Sequence, residues 1–335
     1  MYPETEKPVL SDICTVRSIR GRGAICELQL NMPRDFPEPA PGQFLLISPK
    51  PALERNYIPY DVKSPDFLPR FDLGPTGDRP MLMRPMSIFE YVRPEGRLNG
   101  LLTLLFKVVG AGTFLLSEVK PGCPLGFLGP LGKGFPSLEF EHVVLVAGGV
   151  GISGLNRLCT SLAAKARAPL FVLGVNDREQ SPVKLAMTEV SPIHKWSLPS
   201  DTESLRLVVS HLFDSFIPSM VASMYPGDQG AFCGTACDLV EGLFRANPER
   251  AKETSLVACG PDVMLASLAD VARHHDIQEY LVALESKMAC GVGTCLGCAV
   301  QIRDPGAETG PASYHYERVC KDGPVFDGYR VVYKR

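Results

Sequence analysis

The spacing of hydrophobic residues changes character twice along this chain. Up to about residue 30 apolar and polar positions partly alternate, as in Cys26-Glu27-Leu28-Gln29-Leu30, which is the period of a half-buried strand. Pro41-Gly42-Gln43-Phe44 then leads into Leu45-Leu46-Ile47-Ser48, and further strands are expected over 86–91 and 101–109, separated by Pro94-Glu95-Gly96 and Asn99-Gly100. Short strands punctuated in this way predict an antiparallel β-barrel. Residues 49–80 are rich in Pro, Asp and Arg without a period, and read as a long loop or insertion.

The second regime begins at Glu141. Val143-Val144-Leu145-Val146-Ala147 is an apolar strand ending in Gly148-Gly149-Val150-Gly151, and 152–165 follows at helical spacing. Strands over 169–175, 206–210 and 255–259 alternate with helices over 238–246 and 261–274, which predicts a parallel sheet wrapped by helices. From Tyr280 onward the chain becomes rich in glycine and cysteine. The expected organisation is a barrel domain at 1–137, an α/β domain at 138–279 and a small module at 280–335.

That last module carries the most specific chemistry. Cys290, Cys295 and Cys298 follow a C-x4-C-x2-C pattern, and Cys320 comes after 21 intervening residues. This is the plant-type ligand pattern of a [2Fe–2S] cluster. Glycines at 291, 293 and 297 let the backbone curl so that N–H groups can face sulfur. A four-cysteine zinc site is the alternative, but zinc usually takes two short hooks and only one is present. Buried structural thiols are the other alternative.

Composition narrows the classes. The chain has 335 residues, with 34 Lys and Arg against 37 Asp and Glu, a balance that gives no reason to expect nucleic acid. Eleven cysteines without a framework of repeated spacings argue for a reducing compartment rather than a disulfide scaffold. Met1-Tyr2-Pro3-Glu4-Thr5-Glu6-Lys7 shows no signal peptide, and no apolar run approaches the ~20 residues of a membrane span. A cytoplasmic protein with no membrane partner is expected.

Four further segments are candidates for holding nucleotides. Arg84-Pro85-Met86-Ser87 places a cation and a hydroxyl at the start of a strand, where Arg84 can pair with phosphate and Ser87 can bond a flavin edge. Gly110-Ala111-Gly112-Thr113 runs into a helix, a setting for a pyrophosphate or simply for an N-cap. Gly148, Gly149 and Gly151 lie in a strand–glycine-turn–helix unit of the kind that binds dinucleotides. Cys259-Gly260-Pro261 ends another strand, where ligands of parallel sheets collect. After the strand at 169–175, Asp177 could accept from a ribose hydroxyl and Arg178 could pair with a 2′-phosphate; NAD is the favoured expectation.

Taken together, Pro41-Gly42-Gln43-Phe44, Arg84-Pro85-Met86-Ser87, Gly110-Ala111-Gly112-Thr113 and Gly129-Pro130-Leu131-Gly132-Lys133-Gly134-Phe135 resemble the ferredoxin-reductase-like flavoproteins. With the terminal run Cys290 to Cys298 and Arg318-Val319-Cys320-Lys321-Asp322-Gly323-Pro324-Val325-Phe326, the whole chain resembles the electron-transfer subunits of NAD-linked dihydroorotate dehydrogenases. The resemblance implies an FAD-binding barrel, with FAD at Arg84, Pro85, Met86, Ser87, Leu105, Phe106, Lys107, Gly112 and Thr113. It implies NAD(H) at the glycine turn and beside Cys259, Gly260 and Pro261, and a [2Fe–2S] cluster on Cys290, Cys295, Cys298 and Cys320. It also implies a separate FMN-containing catalytic subunit, a hetero-oligomer (a heterotetramer) and a place in pyrimidine biosynthesis. The chain departs from the family in its 49–80 insertion and in Ile152-Ser153-Gly154, where an Ala-Pro is usual. A reductase subunit serving ferredoxin or another oxidoreductase is the alternative expectation, and a non-catalytic NAD-binding redox sensor the third.

Overall fold

The computed structural model describes residues 10–51, 82–96, 99–177, 179–187, 196–197, 207–209, 217, 219–305 and 313–333. Residues 52–80 of the insertion, and Arg178, lie outside the described residues. The chain packs as two compact units. One comprises residues up to Pro39 with Phe44–Leu131, and the other Ala40–Gln43 with Gly132–Arg335.

The first unit is a closed antiparallel barrel of β1 (Leu10–Arg22), β2 (Ile25–Met32), β3 (Phe44–Pro51), β4 (Arg84–Val92), β5 (Gly100–Lys107) and, after helix α1 (Ala111–Ser117), β6 (Pro124–Leu131). The strand order is β1-β2-β5-β4-β3-β6, with β6 pairing both β1 and β3 to close the ring. Closure leaves no unpaired sheet edge. The alternation of β2 sends Cys26, Leu28, Leu30 and Met32 inward, where they meet Leu102, Leu104 and Phe106 of β5 and Ile47 of β3. Leu116 and Val119, on and just beyond α1, belong to the same core. The apolar face of this short helix therefore packs into the barrel.

The second unit is built on a seven-stranded sheet. Its parallel strands are β7 (His142–Gly148), β8 (Leu170–Val175), β11 (Ser219–Ser223), β12 (Phe232–Cys233), β13 (Thr254–Cys259) and β14 (Glu279–Ala283). A side pair, β9 (Leu185–Met187) and β10 (Leu207–Val209), forms a separate two-stranded sheet, with β10 beside β11. The expected strand at 206–210 exists, but the sheet position is occupied by β11. Its helices are α2 (Ile152–Ala164), α3 (Ala236–Ala246), α4 (Pro248–Lys252) and α5 (Asp262–His274). Thr235 caps α3, its hydroxyl accepting from Asp238 N–H at 3.1 Å; this reciprocal capping box starts the helix two residues earlier than periodicity suggests.

The C-terminal segment is stitched into the same unit. A hairpin of β15 (Ala299–Arg303) and β16 (Tyr314–Arg318) is followed by β17 (Val325–Asp327), which adds antiparallel to β14 and ends the sheet order β12-β11-β8-β7-β13-β14-β17. Tyr280 is fully buried beneath this junction; its hydroxyl donates to the Leu265 carbonyl at 2.7 Å and its ring meets Tyr329 edge-on. Among the described residues no helix is long and apolar enough to cross a membrane.

Leu28 and Leu104 are both 0 % exposed and face each other across β2 and β5. Truncating Leu28 to Ala is expected to lower the barrel's unfolding free energy by about 2–5 kcal/mol, read as a shifted midpoint in urea denaturation. A shift under about 0.5 kcal/mol would mean that the barrel core is not packed as described.

Candidate functional site

In the barrel, Arg84 opens β4 and its side chain lies against the first turn of α1. A Cβ on Gly112 would stand 2.1 Å from Arg84 Nε, so only glycine allows this approach. One guanidinium nitrogen, Nη1, donates to the Leu82 carbonyl at 2.8 Å. Thr113 Oγ1 accepts from the N–H groups of Val109 at 3.0 Å and Gly110 at 3.2 Å, so this hydroxyl caps its own helix. Ser87 sits half-buried opposite Phe44 in the β3–β4 register. Pro85 is likewise half-buried, whereas Met86 and Phe106 are committed to the barrel core. Leu105 is buried outside that core cluster, and Lys107 is exposed at the end of β5. Side chains left to meet a ligand are those of Arg84, Ser87 and Lys107; the Thr113 hydroxyl is engaged in its own cap, and Met86 and Phe106 could offer only backbone.

In the second unit the glycine turn and the end of β13 are in direct contact. β7 and β13 run parallel and adjacent, with Ala147 opposite Cys259. A Cβ on Gly151 would stand 2.1 Å from the Cys259 carbonyl oxygen. A Cβ on Gly260 would stand 3.0 Å from the backbone of Gly148, and one on Gly148 would meet Pro261 and Met264. Gly149, Val150 and Gly151 form a single 3₁₀ turn that feeds α2. Pro261 is the N-cap of α5, with φ −59° and ψ 143°, one position before the helix proper. The Cys259 thiol is buried against Gly154 of α2. Burial, and then the charge of Glu285, push it well above the ordinary thiol range. It is therefore an unreactive neutral thiol.

The four C-terminal cysteines come together in two pairs. Cys295 N–H donates to Cys290 Sγ at 3.4 Å, and the two side chains interact directly. Cys298 and Cys320 form the second pair, with Val319 N–H bonded to the Cys298 carbonyl at 3.1 Å. Some desolvation opposes ionisation of Cys290. The backbone N–H groups of Cys295, Val292 and Thr294, aided by the Cys295 side chain, outweigh it and bring the thiol down to about 6. Cys320 is pushed up to about 12 by burial and by its neighbour Cys298. Among the described residues no three of these sulfurs lie within 4.8 Å of one another, whereas four thiolates on a single zinc would all be that close. Two pairs, one partly ionised by N–H groups, fit a two-iron centre.

Sequence reasoning overlooked two residues that shape this loop. Arg318 and Asp322 are joined by a two-pronged ion pair at 2.8 and 3.0 Å. Their four-residue spacing just around Cys320 was the available signal. None of the remaining cysteines forms a disulfide, and burial pushes Cys237 up to about 11, so its thiol stays neutral.

Gly293 has φ +85°, and its Cβ position lies 3.0 Å from the Lys321 side chain. Gly293→Ala is expected to reduce iron bound per chain at least about threefold, because the left-handed conformation resists a side chain. Unchanged iron content by colorimetric assay would refute this. Gly151→Ala must push the turn off β13, and is expected to slow flavin reduction by NADH at least about tenfold while leaving bound iron intact. Stopped-flow traces at wild-type rate would overturn that assignment.

Residues 285–332 match the family model of the iron–sulfur cluster binding domain of dihydroorotate dehydrogenase B. The chain is 32 % identical over 262 residues to the dihydroorotate dehydrogenase B (NAD(+)) electron transfer subunit of Desulforamulus reducens, covering 78 % of this chain and 84 % of that one. It is 31 % identical to the subunit of the same name from Bacillus caldolyticus, covering 76 % and 81 %. Among solved structures, a NADH-dependent reduced ferredoxin–NADP oxidoreductase shares the fold with a TM-score of 0.62 at 20 % identity, over 96 % of this chain and 90 % of that one. A ferredoxin reductase of carbazole 1,9a-dioxygenase does so at 0.55 and 16 %, over 82 % and 70 %. With a third of its residues shared along most of both chains, this protein belongs to the family of dihydroorotate dehydrogenase B (NAD(+)) electron transfer subunits.

Proposed function

We propose that this chain passes electrons between a separate FMN-containing dehydrogenase subunit, with dihydroorotate as donor, and NAD. The observation that carries this reading is the two-by-two pairing of Cys290 with Cys295 and Cys298 with Cys320, in a chain whose relatives are named as electron transfer subunits. Bound to this chain, FAD would exchange hydride with NAD(H) and single electrons with a [2Fe–2S] cluster, joining two-electron to one-electron chemistry.

The chain's own residues divide the work. Arg84 supplies the cation for a phosphate, and Gly112 keeps the helix start close to it. Ser87 offers a hydroxyl to the ring edge, and the 105–107 strand end flanks the same side of the barrel. For NAD(H), Gly148, Gly149 and Gly151 with Gly260 and Pro261 bring two bare backbone turns together at the carboxyl ends of β7 and β13, where parallel sheets receive nucleotides. The Cys259 thiol supports this junction from behind through its contact with Gly154.

Around the cysteine loop, Val292 and Leu296 are exposed by 46 % and 61 %, and Tyr314 and Tyr316 on the neighbouring hairpin by 49 % and 62 %. Tyr316 is held by Gln301 Nε2 at 3.0 Å and stacks edge-on with Tyr314. Aromatic anchors beside an apolar loop suit a partner protein, and short electron-transfer distances require that partner to come close to the cysteines.

Cys295→Ala is the decisive variant. NADH should still reduce its flavin within about twofold of wild type, while dihydroorotate-dependent NAD reduction with the co-expressed partner falls at least about a hundredfold. Full coupling in that variant would sink the proposal. So would purification of the wild-type chain without flavin, iron and sulfide.

A further inference from the structure

Arg318 stands two residues before Cys320, and its guanidinium reaches across to the opposite part of the cysteine loop. Nη1 donates to the Gly293 carbonyl at 3.2 Å, and Gly293 lies between Cys290 and Cys295. The other edge of the guanidinium is gripped by Asp322, Nε to Oδ2 at 2.8 Å and Nη2 to Oδ1 at 3.0 Å. Asp322 Oδ2 also accepts the backbone N–H of Arg318 at 2.8 Å. The carbonyl of Arg318 in turn receives the N–H groups of Lys321 at 3.1 Å and Asp322 at 2.8 Å. A planar cation with both ends occupied has little freedom.

From this geometry we infer that Arg318 is a positioning residue: it fixes the spacing between the two cysteine pairs and biases the centre they hold towards its reduced form. The inference rests on the reading of the four cysteines as cluster ligands. The clamp joins the Cys320 turn to the stretch between Cys290 and Cys295, where the Gly293 N–H also bonds Cys320 and the Lys321 side chain lies against Gly293. Its polarity is set by the arrangement: the carboxylate of Asp322 takes the Nε and Nη2 edge, leaving Nη1 turned to the loop. The positive charge acts on Cys320 and Cys298. Any group bound by these thiolates gains one negative charge when it accepts an electron, and a fixed cation nearby favours that state. A lysine would supply a comparable charge but not the two-sided fork.

Three variants of the full chain, purified with their cofactors, test this. In Arg318→Gln the EPR-monitored midpoint of the cluster should move to more negative potential, with the reduced:oxidised ratio at fixed potential falling about fivefold. Release of iron to a chelator should accelerate about tenfold once the clamp is lost. Arg318→Lys should keep a midpoint close to wild type while losing iron faster. Asp322→Asn, which retains the cation without its anchor, should also lose iron faster and show no negative shift. A wild-type midpoint in Arg318→Gln, or an equal negative shift in Asp322→Asn, would overturn the electrostatic role. Should Arg318→Gln fail to hold iron, a midpoint in Arg318→Lys displaced to negative potential would do the same. Iron and sulfide on the wild-type chain are measured alongside; their absence there would refute the ligand assignment instead, leaving the two failures distinguishable.

Discussion

Two pairs of thiolates can serve one centre only if the irregular backbone that carries them is held at both ends. Here that anchor is the junction of β14 and β17. The cysteine loop departs shortly after β14, and the turn bearing Cys320 runs directly into β17, which pairs antiparallel with β14 from Leu281 to Ala283. Leu284 N–H donates to the Pro324 carbonyl at 2.9 Å, immediately beyond the pairing. Lys133 N–H meets the Gly323 carbonyl at 2.6 Å from the other side. A loop rich in glycine would lose much conformational entropy on ordering; the sheet edge supplies hydrogen bonds that offset this loss.

The same strategy operates at the glycine turn. Parallel strands place their carboxyl ends side by side, and close approach of two backbones requires that nothing project between them. Gly151 against the Cys259 carbonyl meets that requirement. The buried thiol of Cys259 packs against Gly154 as a small apolar group, so a cysteine that invites a chemical role acts here as a filler. In the barrel, Gly112 performs a comparable service for Arg84. Each candidate site thus combines one long or polar side chain with a neighbour reduced to backbone.

Legibility in the sequence followed the strength of local signals. The alternation of β2 and the apolar run of β7 were readable because burial on one face or on both leaves a periodic trace. β6 was not, since Pro124-Leu125-Gly126-Phe127-Leu128-Gly129-Pro130-Leu131 is broken by the residues that usually mark turns; ring closure with β1 and β3 holds it in strand form. β11 was missed for another reason. Ser219-Met220-Val221-Ala222-Ser223 is wholly buried, but it is short and bounded by serines whose hydroxyls are satisfied internally. The more apolar Leu207–Val209 looked like the better strand, yet it pairs outside the main sheet. β17, three residues long, exists only because β14 offers it an edge.

The spacing of Cys290, Cys295 and Cys298, the glycines between them and the residues that carry the family resemblance belong to the sequence. The hydrophobic periodicity likewise implies the barrel followed by the α/β sheet. Pairing of Cys298 with Cys320 across a hairpin, the reach of Arg318 to Gly293, and the burial that silences Cys259 were decided by tertiary structure alone. The physical reason is range. Periodicity and spacing report what neighbours along the chain must do, whereas contacts between distant segments depend on how sheet edges and turns meet, and no local pattern encodes that.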